Sequence, residues 1–544
     1  MSQEPGGKAK IIVNADRWIK DLSHNWNYIG YDEINYTHTP EGEEVFKKFM
    51  DFMEDPYYIR AHHLLCTGNL HGTYKWGSTN VYMEDEDGRP IYNWDVIDRI
   101  FDTYLRYNCK PFVELGFMPQ DLTSHSGNNY FEYHMDGWRY PPKDYSKWYE
   151  LIYNLVKHCL ERYGYEEIKS WYWELWNEPD IDYYWKGTIE DFCKLYDYTE
   201  AAVRSAFPDA KVGGPATTGP GKGSRSSEWL DRFLDHCVNG MNYFTEKKGT
   251  RLDFISFHAK GAGYNFSTRY KKQLPSIKRL INQVQIGFDI IEKYPPIKGL
   301  ECVLSEVDPD GWAAGGRFDN PNLNFRNTEY YPSYVVTAFN KLTELAEMYG
   351  IDLRLLSWAF MFRGERCFEG TRTFVTQGID KPILNLFRMF SLLGNKKVYL
   401  ESSMKKDQTK FEDDYGSKEE PEIFGTATVS GDKKIEILLY CHQDDWDFGG
   451  EYEVDIEVSG LPPSTSKVIL THYRLDEEHS NAYAEWVRQG RPDYPVEAQR
   501  RVIKSREGLE LYEPISDVLV FNRTFKKKLF LPVHGISLLI LSLE

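Results

Sequence analysis

Through the first 380 or so residues, short apolar runs alternate with longer amphipathic stretches. Eight runs stand out: Asn25–Ile29, Tyr57–His62, Pro111–Phe117, Ser170–Trp176, Ala210–Gly214, Leu252–His258, Glu301–Glu306 and Leu353–Phe360. Several are almost continuously apolar, as strands covered on both faces must be. The stretches between them carry helical spacing. Val96, Ile97, Ile100, Phe101, Tyr104 and Leu105 share one face behind Asn93, a candidate cap. Trp148, Leu151, Ile152, Leu155, Val156 and Leu160 do the same behind Ser146, and Gly164 suits the end of that helix. Strand and helix in alternation predict a parallel sheet, and eight repeats predict an α/β fold, a (β/α)8 TIM barrel over 14–390.

The pattern changes after about residue 395. Met404–Lys418 is densely charged and reads as a loop, with Pro421 barring a helix beyond it. Period-two runs follow at Phe424–Val429, Lys434–Tyr440, Glu451–Val458, Lys467–Tyr473 and Ile536–Leu541. Ser430-Gly431-Asp432 reads as a hairpin turn between the first two. This predicts a C-terminal antiparallel β-sandwich domain over 391–544, with Lys10–Val13 a candidate further strand. A length of 544 residues fits a barrel plus a smaller module.

A formal net charge of −18 argues against a nucleic-acid partner, because phosphate binding needs clustered Lys and Arg. No apolar run approaches the roughly 20 residues of a membrane span, so no membrane partner is expected. The opening residues show no leader, which implies a cytoplasmic protein or a secreted or periplasmic one whose signal peptide has been removed. The eight cysteines are scattered singly and read as reduced, buried thiols. No nucleotide loop and no Cys/His cluster at metal spacing occurs, so the expectation is no cofactor and no metal. Aromatic content is 15%, which suits sugar-stacking surfaces and large cores alike.

Two segments carry the chemistry. Ser170-Trp-Tyr-Trp-Glu-Leu-Trp-Asn-Glu-Pro-Asp180 is an aromatic strand stopped by Pro179, which places Glu178 at the C-terminal mouth where barrel enzymes keep their catalysts. Trp171, Trp173 and Trp176 are expected to wall the carboxyl and favour its protonated form, as a general acid requires. Glu174 is the rival, disfavoured by its depth in the strand. Cys302-Val-Leu-Ser-Glu306 is a second apolar strand ending in a carboxylate, and Asp308 is its rival. Glu306 lies 306 − 178 = 128 residues beyond Glu178, a spacing that fits strands four and seven of one barrel. Paired carboxyl groups serve glycoside hydrolysis, about 5–5.5 Å apart in retaining enzymes and about 6.5–9.5 Å apart in inverting ones.

The chain resembles glycoside hydrolase family 39, the β-xylosidases and α-L-iduronidases, from about Asn25 onward. The resemblance is carried by Tyr58-Ile-Arg-Ala-His62, Pro111-Phe-Val-Glu-Leu-Gly-Phe-Met-Pro119, Trp176-Asn-Glu-Pro179, Asp253-Phe-Ile-Ser-Phe-His258 and Asp476-Glu-Glu-His-Ser-Asn-Ala-Tyr483. It implies retention through a covalent glycosyl-enzyme, with Glu178 as acid/base and Glu306 as nucleophile. It also implies that Asn177 bonds the sugar 2-hydroxyl and that His62 and His258 contact other hydroxyls. Arg60 either orients a catalytic carboxylate or forms a barrel-core ion pair. Phe257-His-Ala-Lys-Gly261 and Glu306-Val-Asp-Pro309 look nearer the iduronidase-type branch, in which the Lys matching Lys260 contacts the sugar. Arg372 matches either the carboxylate-binding Arg of that branch or a loop salt bridge. Glu365 matches a substrate-contacting Glu of the xylosidases, and Trp358 is placed as a platform under the sugar. Trp312 and Phe362 are candidates for the pocket wall or for packing. The expectation is a retaining exo-glycosidase acting on an oligosaccharide or glycoside, a β-xylosidase first and an iduronidase-like or arabinose-releasing enzyme second. A non-catalytic carbohydrate-binding barrel is the alternative outside the enzymes.

Overall fold

In the computed structural model, the described residues are 6–543 apart from 74, 128–129, 132–133, 313–314, 361–362, 408–419 and 432. Phe362, Asp432 of the expected turn and most of the charged stretch after Met404 lie outside them. Eight parallel strands close into a barrel: Tyr28–Tyr31, Tyr57–Ala61, Cys109–Leu115, Tyr172–Leu175, Lys211–Thr217, Phe254–Lys260, Glu301–Asp308 and Leu353–Trp358. They pair in chain order and the eighth closes on the first, each followed by a helix on the outside. Helix Tyr145–Tyr163 is capped by Asp144, whose carboxylate accepts from the Ser146 and Lys147 N–H groups, so the cap lies two residues before the expected Ser146. Asn93 bonds the Asp95 N–H from two residues ahead of helix Asp95–Arg106, whose cap position is held by Trp94, and Gly164, at φ +84°, ends helix Tyr145–Tyr163.

Inside the barrel the period-two alternation stacks two layers. The lower layer is apolar and mostly aromatic, with Tyr28, Phe112, Tyr172, Phe254, Val303 and Leu356 in one cluster. Two residues further along the same strands, the inward positions become Arg60, Glu114, Glu174 and Trp358. Gly30 is required at its level, because a Cβ there would sit 2.3 Å from the Trp358 ring. The outward positions, such as Val113, Trp173, Phe257 and Leu304, pack under the helices in the main core.

One irregularity matters for the site. Phe257 pairs with Leu304, but His258 pairs with Glu306, so strand seven carries a bulge at Ser305.

The second unit is a ten-stranded sheet, antiparallel except at one pair. Its strands from both ends share one core that includes Ile11, Ile437, Val454, Leu470 and Leu529, so the sheet folds over on itself. The N-terminal strand spans Lys8–Asp21 and lies between Lys396–Ser402, antiparallel, and Glu451–Ser459, parallel. Residues 14–21, expected in the barrel, therefore belong to this sheet. Between Leu475 and Glu510 the chain leaves the sheet and packs Ala482, Trp486 and Ile503 on Cys367, Phe368 and Ile379. All eight cysteines are buried and free.

Candidate active site

Strand ends supply Glu178, His258, Lys260 and Glu306 at the mouth of the barrel. Trp176 and Glu178 both hold positive φ, +66° and +43°, a conformation that costs on the order of 1–3 kcal/mol per residue and marks a held geometry. The Glu178 N–H is fixed by the Ala216 carbonyl of the next strand at 2.8 Å. The side chain then enters a pocket of about 460 Å³ together with Glu306, His62, Lys260, Trp358 and Arg372. One oxygen of Glu178, one of Glu306 and a ring nitrogen of His258 lie within 4.8 Å of one another.

Arg60, fully buried below the pocket, joins the acids. Its Nε donates to Glu174 at 2.5 Å, and its Nη2 to Glu114 at 2.9 Å and to Asn177 Oδ1 at 3.0 Å. Its Nη1 lies 3.4 Å from Glu306 Oε1. Glu174, the rival within its segment, is thus committed to Arg60 beneath the site. Asn177 presents its Nδ2 with no partner, although the residue is buried. His258 sets Nδ1 2.9 Å from Glu178 Oε1 and leaves Nε2 without a partner.

Glu306 is set among cations. Lys260 Nζ donates to its Oε2 at 2.8 Å and also bonds Asp308, while His62 Nε2 lies 3.5 Å from Oε1. Burial alone raises a carboxyl, but Lys260, His258 and His62 outweigh it and hold Glu306 well below the usual carboxylate range. His62 behaves oppositely: burial disfavours its cation, but Glu114, 2.6 Å from Nδ1, overcomes this and raises it to about 9. Asp308, the rival of Glu306, also accepts from the Trp358 N–H at 3.1 Å and faces Arg372 at 3.5 Å. Its oxygens are spent on these partners. Glu178, His258 and Glu306 are close enough to share a cation, but the Lys260 ammonium already compensates Glu306.

Several expectations are revised. Trp171 and Trp173 do not wall Glu178; they face outward, Trp171 packing on Phe101 and Tyr163. Ile181, Tyr183, Tyr184 and Thr218 line the same pocket as Glu178 instead. Glu365 does not line the pocket, because its carboxylate turns inward to accept the Gly370 N–H at 2.7 Å. Burial raises it to about 7 against the pull of Lys381. Trp312 stands outside the pocket lining, stacked on Phe266 with centroids 6.1 Å apart. Asp32, Lys75, Tyr184 and Arg279 line the pocket and were not singled out in the sequence. Asp32 was legible as the first acidic residue after an apolar strand; it accepts from Trp358 Nε1 at 3.0 Å.

The chain is 29% identical over 460 residues to a β-xylosidase of Geobacillus stearothermophilus, covering 80% of this chain and 77% of that one. It is 26% identical over 439 residues to an α-L-iduronidase of Mus musculus, covering 77% of this chain and 63% of that one. A monomeric β-xylosidase from Caulobacter crescentus CB15 shares the fold with a TM-score of 0.78 at 20% identity, over 98% of this chain and 99% of that one. Residues 9–512 match the family model of the glycosyl hydrolases family 39, and the chain belongs to that family and is a glycoside hydrolase.

Proposed function

We propose that the protein is a retaining exo-glycosidase acting on β-xylosides, with Glu178 as acid/base and Glu306 as nucleophile. One observation carries the mechanism: an oxygen of each carboxyl lies within 4.8 Å of the other across the mouth. That separation belongs with the roughly 5–5.5 Å of retaining enzymes and leaves no room for the water that inversion places between its carboxyl groups.

In the first step Glu306, kept ionised by Lys260 and His62, attacks the anomeric carbon as Glu178 gives its proton to the departing oxygen. Glu178 then takes a proton from water, whose oxygen displaces Glu306 from the sugar. Asn177 Nδ2, buried without a partner, is the donor for the hydroxyl next to the anomeric carbon. Trp358 supplies the apolar floor.

The xyloside preference is supported by the likeness to the β-xylosidase of Geobacillus stearothermophilus and by the state of the basic groups. Lys260 is shared by Glu306 and Asp308, and Arg372 faces Asp308, so both charges are met within the protein. A second reading, an acidic sugar such as a uronate, is favoured by Arg372 Nε, which is buried and lacks a partner in the wall of the pocket. Hydrolysis of an aryl β-xyloside beside an aryl α-L-iduronide, with the first-formed anomer followed by NMR, decides between them. Release of β-xylose first supports the main reading. Release of the opposite anomer would overturn retention, and turnover of the iduronide alone would overturn the substrate.

A further inference from the structure

His62 has a carboxylate at each ring nitrogen. Nδ1 meets Glu114 Oε2 at 2.6 Å, and Nε2 faces Glu306 Oε1 at 3.5 Å and Asp32 Oδ1 at 3.7 Å. A neutral imidazole carries only one N–H, so it would have to aim a lone pair at one of these anions. The ring also lies 4.4 Å from the Trp358 ring, a face that favours a cation.

We propose that Glu114 is a positioning residue that holds His62 doubly protonated and aims its Nε2–H at the nucleophile, giving Glu306 a cation at each oxygen. The inference rests on the reading of Glu306 as nucleophile. Glu114 lies on strand three, is fully buried, and does not line the pocket. Its Oε2 takes both His62 Nδ1 and Arg60 Nη2; burial raises the Glu114 carboxyl above its usual range, and the two cations oppose that rise and favour the pair with the proton on the ring. Lys260 at 2.8 Å serves Oε2 of Glu306, and His62 joins Arg60 Nη1, 3.4 Å away, at Oε1. The charged and titratable groups around the ring are Glu114, Asp32, Glu33, Glu306, Arg60, Tyr184, whose ring is 5.9 Å away, and His63, whose ring is 6.0 Å away. The elevation of His62 to about 9 agrees with this geometry. The arrangement parallels a carboxylate behind a catalytic histidine, with the ring acting here by charge rather than by moving a proton.

The test is NMR titration of the full-length enzyme carrying 13C-labelled histidine, with the His62 signal assigned by its loss in His62→Gln. The wild-type ring is expected to stay an imidazolium through neutral pH and to titrate near 9. In Glu114→Gln the midpoint falls by about two pH units, and Glu114→Asp restores most of it. A wild-type midpoint near 6.5, or one unchanged in Glu114→Gln, overturns the proposal, and the wild-type titration stands even if the variant fails to fold. Kinetics supply a second readout with a dinitrophenyl glycoside, whose leaving group needs no proton, so that Glu178 drops out of the alkaline limb. Glu114→Gln should lose about tenfold in kcat/KM between about pH 6 and 8 while the wild type holds. A uniform loss at every pH marks a purely structural role and overturns it. Because the titration needs no turnover, an active Glu306→Ala would sink the nucleophile reading without touching this result.

Discussion

Replacing Lys260 with methionine keeps most of the unbranched side chain and removes one charge from the side of Glu306. At 2.8 Å and an effective dielectric near 20, the pair is worth about 6 kcal/mol by Coulomb's law. Water entering the space left by the ammonium returns part of that, so the net loss to Glu306 is set at about half, roughly 3 kcal/mol. That equals about two pH units on the carboxyl. The acid limb of kcat/KM reports the ionisation of the free enzyme's essential base, here the nucleophile. In the wild type that limb lies well below the usual carboxylate range, because Lys260, His258 and His62 outweigh burial. In Lys260→Met it should rise by about two units, with the alkaline limb left in place. The assay is the pH profile of kcat/KM on an aryl β-xyloside, with circular dichroism confirming the fold at each pH. An acid limb unmoved within about half a unit would refute the reasoning, since it would mean that Lys260 is not what keeps Glu306 charged.

Glu306→Ala should abolish turnover, and added azide should restore it as a glycosyl azide of inverted configuration; wild-type-like rates without azide would end the nucleophile assignment. Glu178→Ala should slow alkyl glycosides far more than dinitrophenyl ones, by about 100-fold or more, because only the former need a proton. Equal losses on both would remove the acid role. His534 is buried and held down to about 3, so it stays neutral in the fold. Its contribution to stability is whole above the unfolded value near 6.5 and is lost as the pH falls toward 3, because only the unfolded chain takes up the proton. Between pH 6.5 and 4.5 this amounts to about 3 kcal/mol, and His534→Gln should flatten the acid fall of the melting temperature by that share. An identical pH slope in the variant would refute it.

The barrel was legible because its strands are covered on both faces and read as apolar runs, and its helices show their buried stripe. The two acids at the mouth were legible because each follows such a run and stands before a proline. What escaped was direction. Trp171 and Trp173 flank the inward Tyr172, and the alternation sends both outward under the helices, where aromatic bulk reads the same as in a pocket wall. Glu365 aligned with a sugar-contacting acid, but the local turn offers it the Gly370 N–H and burial draws it inward. The strand Phe525–Pro532 hid behind Lys526, Lys527 and Lys528, which guard an edge while Phe525, Leu529 and Leu531 fill the core. Strand Lys8–Asp21 was visible only in its apolar half, since beyond Val13 its residues are polar or exposed.

Ser305 determines which way the business end of strand seven looks. Val303 points into the barrel and Leu304 out, so unbroken alternation would turn Ser305 inward and Glu306 outward against the helices. The extra residue resets the count, and Glu306 and Asp308 both come to point inward, where Lys260 bonds each of them. Drawing Ser305 into register opposite His258, with no bulge, would leave the chemical inventory of the enzyme intact and yet present Ser305 and Val307 at the mouth in place of the acids. A frame of this kind has no halfway state: lineages can trade side chains around the pocket one at a time, but the spacing of this strand must be inherited whole.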